Sequence, residues 1–238
     1  MKKNFYAIDM GSPSKNGGFF CWKYSLANHE LTSFKGTRGW LKCIKEIAKD
    51  VKNSEVHLTI EAPLWGNKLK NGNQHWCIRF QLSKNKKFTE HPWYTLAGAT
   101  TGFMAQEFLL ELNDCISKNK KAPKKKITLR ESYISGVKAN VNIEKPDSFI
   151  ETKKGKHAND AFESLLLTLD ANSIEKKDYI FDSIGKNETE KWFIQTPNEI
   201  IFLNSDKYLS FPLGMLKKQK YFDFKCDEIL FMKRTLFK

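Results

Sequence analysis

Val56-His57-Leu58-Thr59-Ile60-Glu61-Ala62-Pro63-Leu64-Trp65-Gly66 is an apolar, β-prone run that ends in a carboxylate, with a proline two residues further on. Val56, Leu58 and Ile60 alternate with polar neighbours, which predicts a strand. Pro63 cannot continue the ladder and Gly66 lets the chain turn, so Glu61 falls at the strand's carboxyl end. Ligands of open α/β sheets gather at that end. Phe5-Tyr6-Ala7-Ile8-Asp9-Met10-Gly11 repeats the arrangement, an apolar run closed by an acid and then a glycine. Two strand-end carboxylates, Asp9 and Glu61, therefore need a third partner.

Gly11 to Gly18 is dense in turn formers and leads into Phe19-Phe20-Cys21-Trp22-Lys23-Tyr24, so the first two strands should form a hairpin. Leu31 to Phe34 reads as a short third strand. Trp40, Leu41, Ile44, Ile47, Ala48 and Val51 recur at helical spacing behind a Thr37 cap. The order β-β-β-α then meets the Glu61 strand, which should run parallel to the first after one crossover helix. Gln74 to Ser83 reads as a short helix bearing Trp76 and Arg79. Trp93 to Ile116 carries the longest helical pattern, with Leu96, Phe103, Phe108, Leu109 and Leu112 as its buried stripe. Ile127 to Tyr133 is a further strand, and Ala161 to Ala171 a helix whose Phe162, Leu165, Leu166 and Leu169 face the sheet. Beyond Asn172 come short aromatic pieces, Tyr179 to Phe181 and Glu199 to Leu203, which belong to an appended region of unassigned fold.

With 238 residues, 40% hydrophobic and 13% aromatic, the chain can bury one sizeable core, and disorder is excluded. The net charge of +13 gives a positive field that attracts polyanions, nucleic acid foremost; solubility alone is the structural alternative. Five cysteines, odd in number and scattered, lack the short spacing of zinc sites and read as reduced core thiols. Asp9 interrupts the apolar run after Met1-Lys2-Lys3 too early for a signal core, and no later segment reaches the length of a membrane span, so the expectation is a cytoplasmic protein without a membrane partner.

His157 and Asp160 stand three residues apart at a helix start, so in one helical turn their side chains share a face about 5 to 6 Å apart. Together with Asp9 and Glu61 they would bring three carboxylates and an imidazole to one point. Such a cluster repels itself unless cations occupy it, and hard oxygen ligands favour Mg2+ or Mn2+. Two such ions about 4 Å apart suit phosphodiester hydrolysis. Each residue also has a structural alternative. Asp160 with Glu163 forms an Asp-x-x-Glu capping pattern; Asp9 can be a turn residue, Glu61 a solvated strand end, and His157 a loop histidine beside lysines. The expected phosphate contacts are Lys15, Lys68, Lys70, Arg79, Lys86, Lys124, Lys125, Arg130, Lys153, Lys154 and Lys156; the alternative for these basic stretches is a solvated loop.

The ordered set resembles the RNase H-like superfamily, and within it the RuvC-like branch. The residues that carry the resemblance are the hairpin opening with Asp9, the acid in Thr59-Ile60-Glu61-Ala62-Pro63-Leu64, and His157-Ala158-Asn159-Asp160-Ala161-Phe162 at the last core helix. Glu-Ala-Pro-Leu and Arg-Glu-Ser-Tyr are also similar to a group of predicted RNase H-like nucleases. The resemblance covers roughly residues 4 to 172. It implies an α/β fold with a mixed sheet and helices on both faces. It also implies two bound Mg2+ or Mn2+ ions, catalytic and metal-ligating roles for Asp9, Glu61, His157 and Asp160, and cleavage of nucleic acid, DNA ahead of RNA and branched DNA included. The domain expectation is a nuclease domain over 1–172 and a C-terminal appendage over 173–238, with a homodimer left open. Two other readings stand beside it: a catalytically silent nucleic-acid-binding module on the same fold, and an actin-like or sugar-kinase-like ATPase domain suggested by Asp9-Met10-Gly11-Ser12. Length weighs against the ATPase, whose cleft needs two such domains.

Overall fold

A computed structural model describes residues 2–12, 18–62, 64–68, 74–75, 78–82, 88–92, 95–119, 123, 125–134, 155–170, 172, 190–195, 206–209 and 221–234. The elements run β1 (Lys3–Asp9), β2 (Phe20–Ser25), β3 (Glu30–Lys35), α1 (Gly36–Asp50), β4 (Glu55–Glu61), β5 (Trp65–Lys68), β6 (Gln74–His75), β7 (Ile78–Leu82) and β8 (Phe88–Pro92). They continue with α2 (Thr95–Ser117), β9 (Ile127–Ile134), α3 (Gly155–Asp170), β10 (Glu190–Gln195), β11 (Asp206–Leu209) and β12 (Phe222–Arg234).

Seven strands form one mixed sheet in the order β10-β12-β9-β4-β1-β2-β3. The hairpin expected at the start is present: β1 and β2 pair antiparallel with Asp9 opposite Phe20, and β3 continues the meander with Lys35 opposite Phe20. After the α1 crossover, β4 lies parallel to β1, and β9 lies parallel to β4.

The period of two along β1 and β4 divides the molecule into two half-cores. Tyr6, Ile8, Met10, Val56, Leu58 and Ile60 pack with Trp40, Ile44 and Ile47 of α1 and Phe108, Leu109 and Leu112 of α2. Phe5 and Ala7 point the other way, onto Trp22, Tyr24 and the Ala161, Phe162, Leu165, Leu166 and Leu169 stripe of α3. Helices therefore cover both faces, and each strand residue's parity decides which helix it meets.

Several local expectations change. The described residues of the expected helix over Gln74 to Ser83 form β6 and β7 instead, because Ile78, Phe80 and Leu82 alternate with polar residues at the period of a strand. Thr37 does not cap α1. Gly36 takes a φ of 60° and donates its N–H to the Phe19 carbonyl at 3.1 Å, so β3 turns straight into the helix behind Lys35, which makes no side-chain cap. Phe103 is 65% exposed; it lies five residues before Phe108, roughly 140° round the helix from that buried ring. The main sheet also crosses the boundary drawn at residue 172. β12 pairs parallel with β9, Phe222 is buried in the α1/α2 half-core, and β10 pairs antiparallel with β12. Tyr179 to Phe181, Glu199 to Leu203 and Trp76 lie outside the described residues. Cys21 and Cys43 are buried free thiols with sulfurs 3.5 Å apart, and Cys115 is also free.

Candidate metal centre

Asp9 is the last residue of β1 and Glu61 the last of β4, and the parallel register places them side by side. Both are odd-numbered on strands whose even residues enter the α1/α2 half-core, so both side chains are directed to the α3 face. The helix that covers this face starts at Gly155, six residues before the expected Ala161. His157 therefore sits in its first turn and Asp160 one turn on, inside the helix and not at its cap.

Polar anchors fix α3 over the strand ends. The Trp22 indole N–H donates to the Ala158 carbonyl at 2.9 Å, which holds the first turn against β2. Deeper in, the Thr168 and Thr59 hydroxyls meet at 2.6 Å, and those of Ser164 and Ser132 at 2.8 Å, tying the helix to β4 and β9. Buried hydroxyl pairs of this kind satisfy groups that would otherwise be stranded, and they discriminate against a slipped helix register.

The result is that one carboxylate oxygen from each of Asp9, Glu61 and Asp160 lies within 4.8 Å of the others. Asp9 is buried, while Glu61 and Asp160 are half-buried. Three hard, anionic oxygen donors at this separation fit a divalent cation of the Mg2+ or Mn2+ type, since such a cation would remove their mutual repulsion. When bound, such ions supply an activated water and neutralise a leaving oxygen. His157 enters through Asp9: its Nδ1 stands 2.6 Å from Asp9 Oδ2, so Nδ1 carries the hydrogen and the carboxylate accepts it. The other edge of the ring rests on the β1–β2 connection. A Cβ at Gly18 would lie 2.5 Å from His157 Nε2, so only glycine leaves room for the imidazole there.

Glu131 of β9 was not singled out from the sequence. It is 1% exposed and accepts the Leu64 N–H at 2.8 Å. Leu64 and Ala62 are themselves buried. The chain leaving Glu61 is thus clamped by a side chain two strands away from Asp9, in the Arg-Glu-Ser-Tyr segment. Its sequence signal was weak, a carboxylate in a strand that also carries Thr128, Arg130 and Ser132; only its burial shows an acid that needs a partner. Gly18 had a weaker signal, as one glycine among several in a turn-rich stretch.

The expected phosphate contacts separate into four groups. Lys125 is exposed and bonds Glu55 at 2.8 Å. Glu55 opens β4 and Glu61 closes it, so Lys125 is at the opposite end of the sheet from the carboxylates. Arg130 is 7% exposed and lies in register with Thr59 under α3, so its expected role at a phosphate backbone does not hold: a buried guanidinium offers no face to a polyanion. Lys68, Arg79 and Lys156 lie on β5, β7 and the first turn of α3. Lys15, Lys70, Lys86, Lys124, Lys153 and Lys154 lie outside the described residues. Among the described residues, no helix is long and apolar enough to cross a membrane. Comparisons with protein-family models, curated proteins and solved structures found no match for this chain.

Proposed function

We propose that the chain is a metal-dependent endonuclease that hydrolyses phosphodiester bonds of nucleic acid, DNA by preference, on an RNase H-like fold of the RuvC-like kind. The observation that carries this reading is the meeting of Asp9, Glu61 and Asp160 within 4.8 Å at the carboxyl ends of two adjacent parallel strands. Hairpin, parallel strands and acid-bearing helix follow one another in the order that the resemblance implies. Asp9, Glu61 and Asp160 would hold the ions, and His157 would orient Asp9 through its Nδ1–H. The net charge of +13 supplies attraction for a polyanionic substrate.

The test is a panel of labelled junction, flap, duplex, hybrid and single-stranded substrates incubated with Mg2+ or Mn2+ and with EDTA. Cleavage that needs metal and disappears in Asp160→Asn supports the reading. Binding without cleavage in either metal would leave the silent binding module, and tight binding of ATP with no effect on nucleic acid would favour the ATPase.

A further inference from the structure

We infer that the outer ridge of α1 is a docking surface for the phosphate backbone of duplex DNA, leading away from the carboxylates. Arg38, Lys42, Lys45 and Lys49 follow one another along α1 at steps of three and four residues, which is one face of a helix, and the chain carries Lys35 at the end of β3 just before it and Lys52 just after it. The first five are exposed and Lys52 is half-buried. The opposite face, Gly39, Trp40, Cys43, Ile44, Ile47 and Ala48, is buried. With 15 residues, the helix is roughly 22 Å long at 1.5 Å per residue. That length spans about six phosphates of one strand at 3.4 Å of axis each.

Two features set this ridge apart from an ordinary solvated face. First, among the described residues a single ion pair is all that neutralises it. The two acids of α1 turn inward: Glu46 and Asp50 both bond Lys23 at 2.8 Å, and Asp50 also accepts from Asn4 and Tyr6. Among the described residues only Lys49 of the ridge has an ion-pair partner, Glu46 at 3.8 Å. Like charges at i,i+4, here Arg38 with Lys42 and Lys45 with Lys49, destabilise a helix, and the first turn has no acid to offset the helix dipole. The arrangement works against the helix that carries it, so a polyanion is the partner its charge is complementary to.

Second, the ridge starts level with the metal centre. Lys35 is opposite Phe20, Phe20 opposite Asp9, and Asp9 beside Glu61, one row across four strands. At about 4.8 Å per strand, the Lys35 backbone stands roughly 10 Å from that of Asp9. From there α1 runs down to Asp50, which bonds Asn4 near the far end of β1. The acids face α3 and α1 covers the other face of the sheet, so a duplex reaching the carboxylates at the strand ends would pass over that edge of the sheet to continue along the cations. The inference takes its substrate from the nuclease reading, but binding along the ridge does not need catalysis.

The experiment measures binding of a fluorescein-labelled DNA duplex to the full chain in EDTA across a salt series. Three proteins are compared: wild type, the triple variant R38Q/K42Q/K45Q, and the equal-charge control K118Q/K125Q/K126Q from the basic stretch before β9. All six positions are exposed, and matching near-UV dichroism and melting temperature establish that the variants are folded. Removing three phosphate contacts should lower the slope of log affinity against log salt by about 2 to 3, and weaken binding at least tenfold at about 0.1 M salt. The control should shift far less. A control that matches or exceeds the ridge variant overturns the inference, as does a wild type that fails to bind duplex. Displacement of the duplex by polyglutamate as readily as by unlabelled DNA of equal charge would assign the ridge to an acidic protein instead. Cleavage with binding unmoved by the ridge variant would sink the ridge and spare the nuclease; ridge-dependent binding with no cleavage in any metal would do the reverse.

Discussion

Asp160→Asn should make the metal-free protein more stable and the metal-loaded protein less so. The three carboxylates approach to within 4.8 Å, and at that separation two unit charges repel by about 3 kcal/mol at an effective dielectric near 20, or about 1 in water. Half-exposure of Glu61 and Asp160, and the His157 hydrogen bond to Asp9, move the estimate to the lower end of that range. Asp160 takes part in two such pairs, so neutralising it with an isosteric amide relieves about 2 kcal/mol. For a chain of this size each kcal/mol moves the melting temperature by about 2–4 °C, which predicts a rise of about 4–8 °C in EDTA. Manganese at a hundredfold over its dissociation constant adds about 2.7 kcal/mol to the wild type, and the variant should lose most of that gain. Thermal melts of both proteins, in EDTA and in a manganese series, read the two signs directly. A variant that melts below wild type in EDTA would refute mutual repulsion, and one with an undiminished manganese shift would remove Asp160 from the ligand set.

Glu131→Ala should lower stability by about 1–3 kcal/mol by orphaning the buried Leu64 N–H, whereas Glu131→Gln keeps an acceptor and should fall less; equal melting temperatures for the two would undo the clamp. Gly18→Ala should displace the His157 ring, lowering cleavage several-fold with little loss of melting temperature, and the imidazole resonances of His157 should shift; unmoved resonances would show that the seat is not needed. His57, stacked on Phe5 at 5.0 Å, has its imidazole pushed down to about 4 from 6.5 by burial, with the Arg130 charge adding to it. A base with a depressed folded pKa contributes full stability above 6.5 and loses it as the pH falls through about 4, so wild type minus His57→Phe should show a loss of up to about 3 kcal/mol across that window; a flat difference would count against it. Truncation after Asn172 removes β12 from β9 and Phe222 from the core, so the shortened chain should be insoluble or lack near-UV dichroism, and a soluble, cooperatively melting product would restore the boundary at 172.

The parts legible in the sequence were those set by short-range pattern. Alternation over Phe5 to Asp9 and Val56 to Glu61 gave both strands and the acids at their ends, and three-to-four spacing gave the α3 stripe. What escaped depended on partners far along the chain. Glu131 reads as one more charge until Leu64, 67 residues earlier, is seen to donate to it. Arg130 reads as a surface cation because nothing local reveals that α3 covers that side of β9. The strand pairing of Phe222 to Arg234 was hidden for the same reason, since a parallel neighbour is chosen by tertiary packing and not by the strand's own residues. The α1 ridge was visible in principle, but a reading that follows apolar residues round a helix records only the buried side.

The candidate site and the fold share one parity. On β1 and β4 the even residues fill the α1/α2 half-core, while Asp9 and Glu61 are odd and meet α3. A slip of one residue in either strand would carry its acid into the cluster of Ile8, Leu58, Ile60 and Phe108, where an unpaired carboxylate costs several kcal/mol. The carboxylates therefore specify register as well as holding a site, because only one register keeps both of them beside Asp160. That gives a physical account of two acids tolerated at neighbouring strand ends although they repel one another: the alternative registers are worse. The same logic locates the cations. With one face of the sheet committed to apolar packing by α1 and α2, and the other to α3 and the acids, the charge proposed to meet a polyanion is left to outer surfaces such as those of the covering helices. The ridge of α1 is the described surface where it collects.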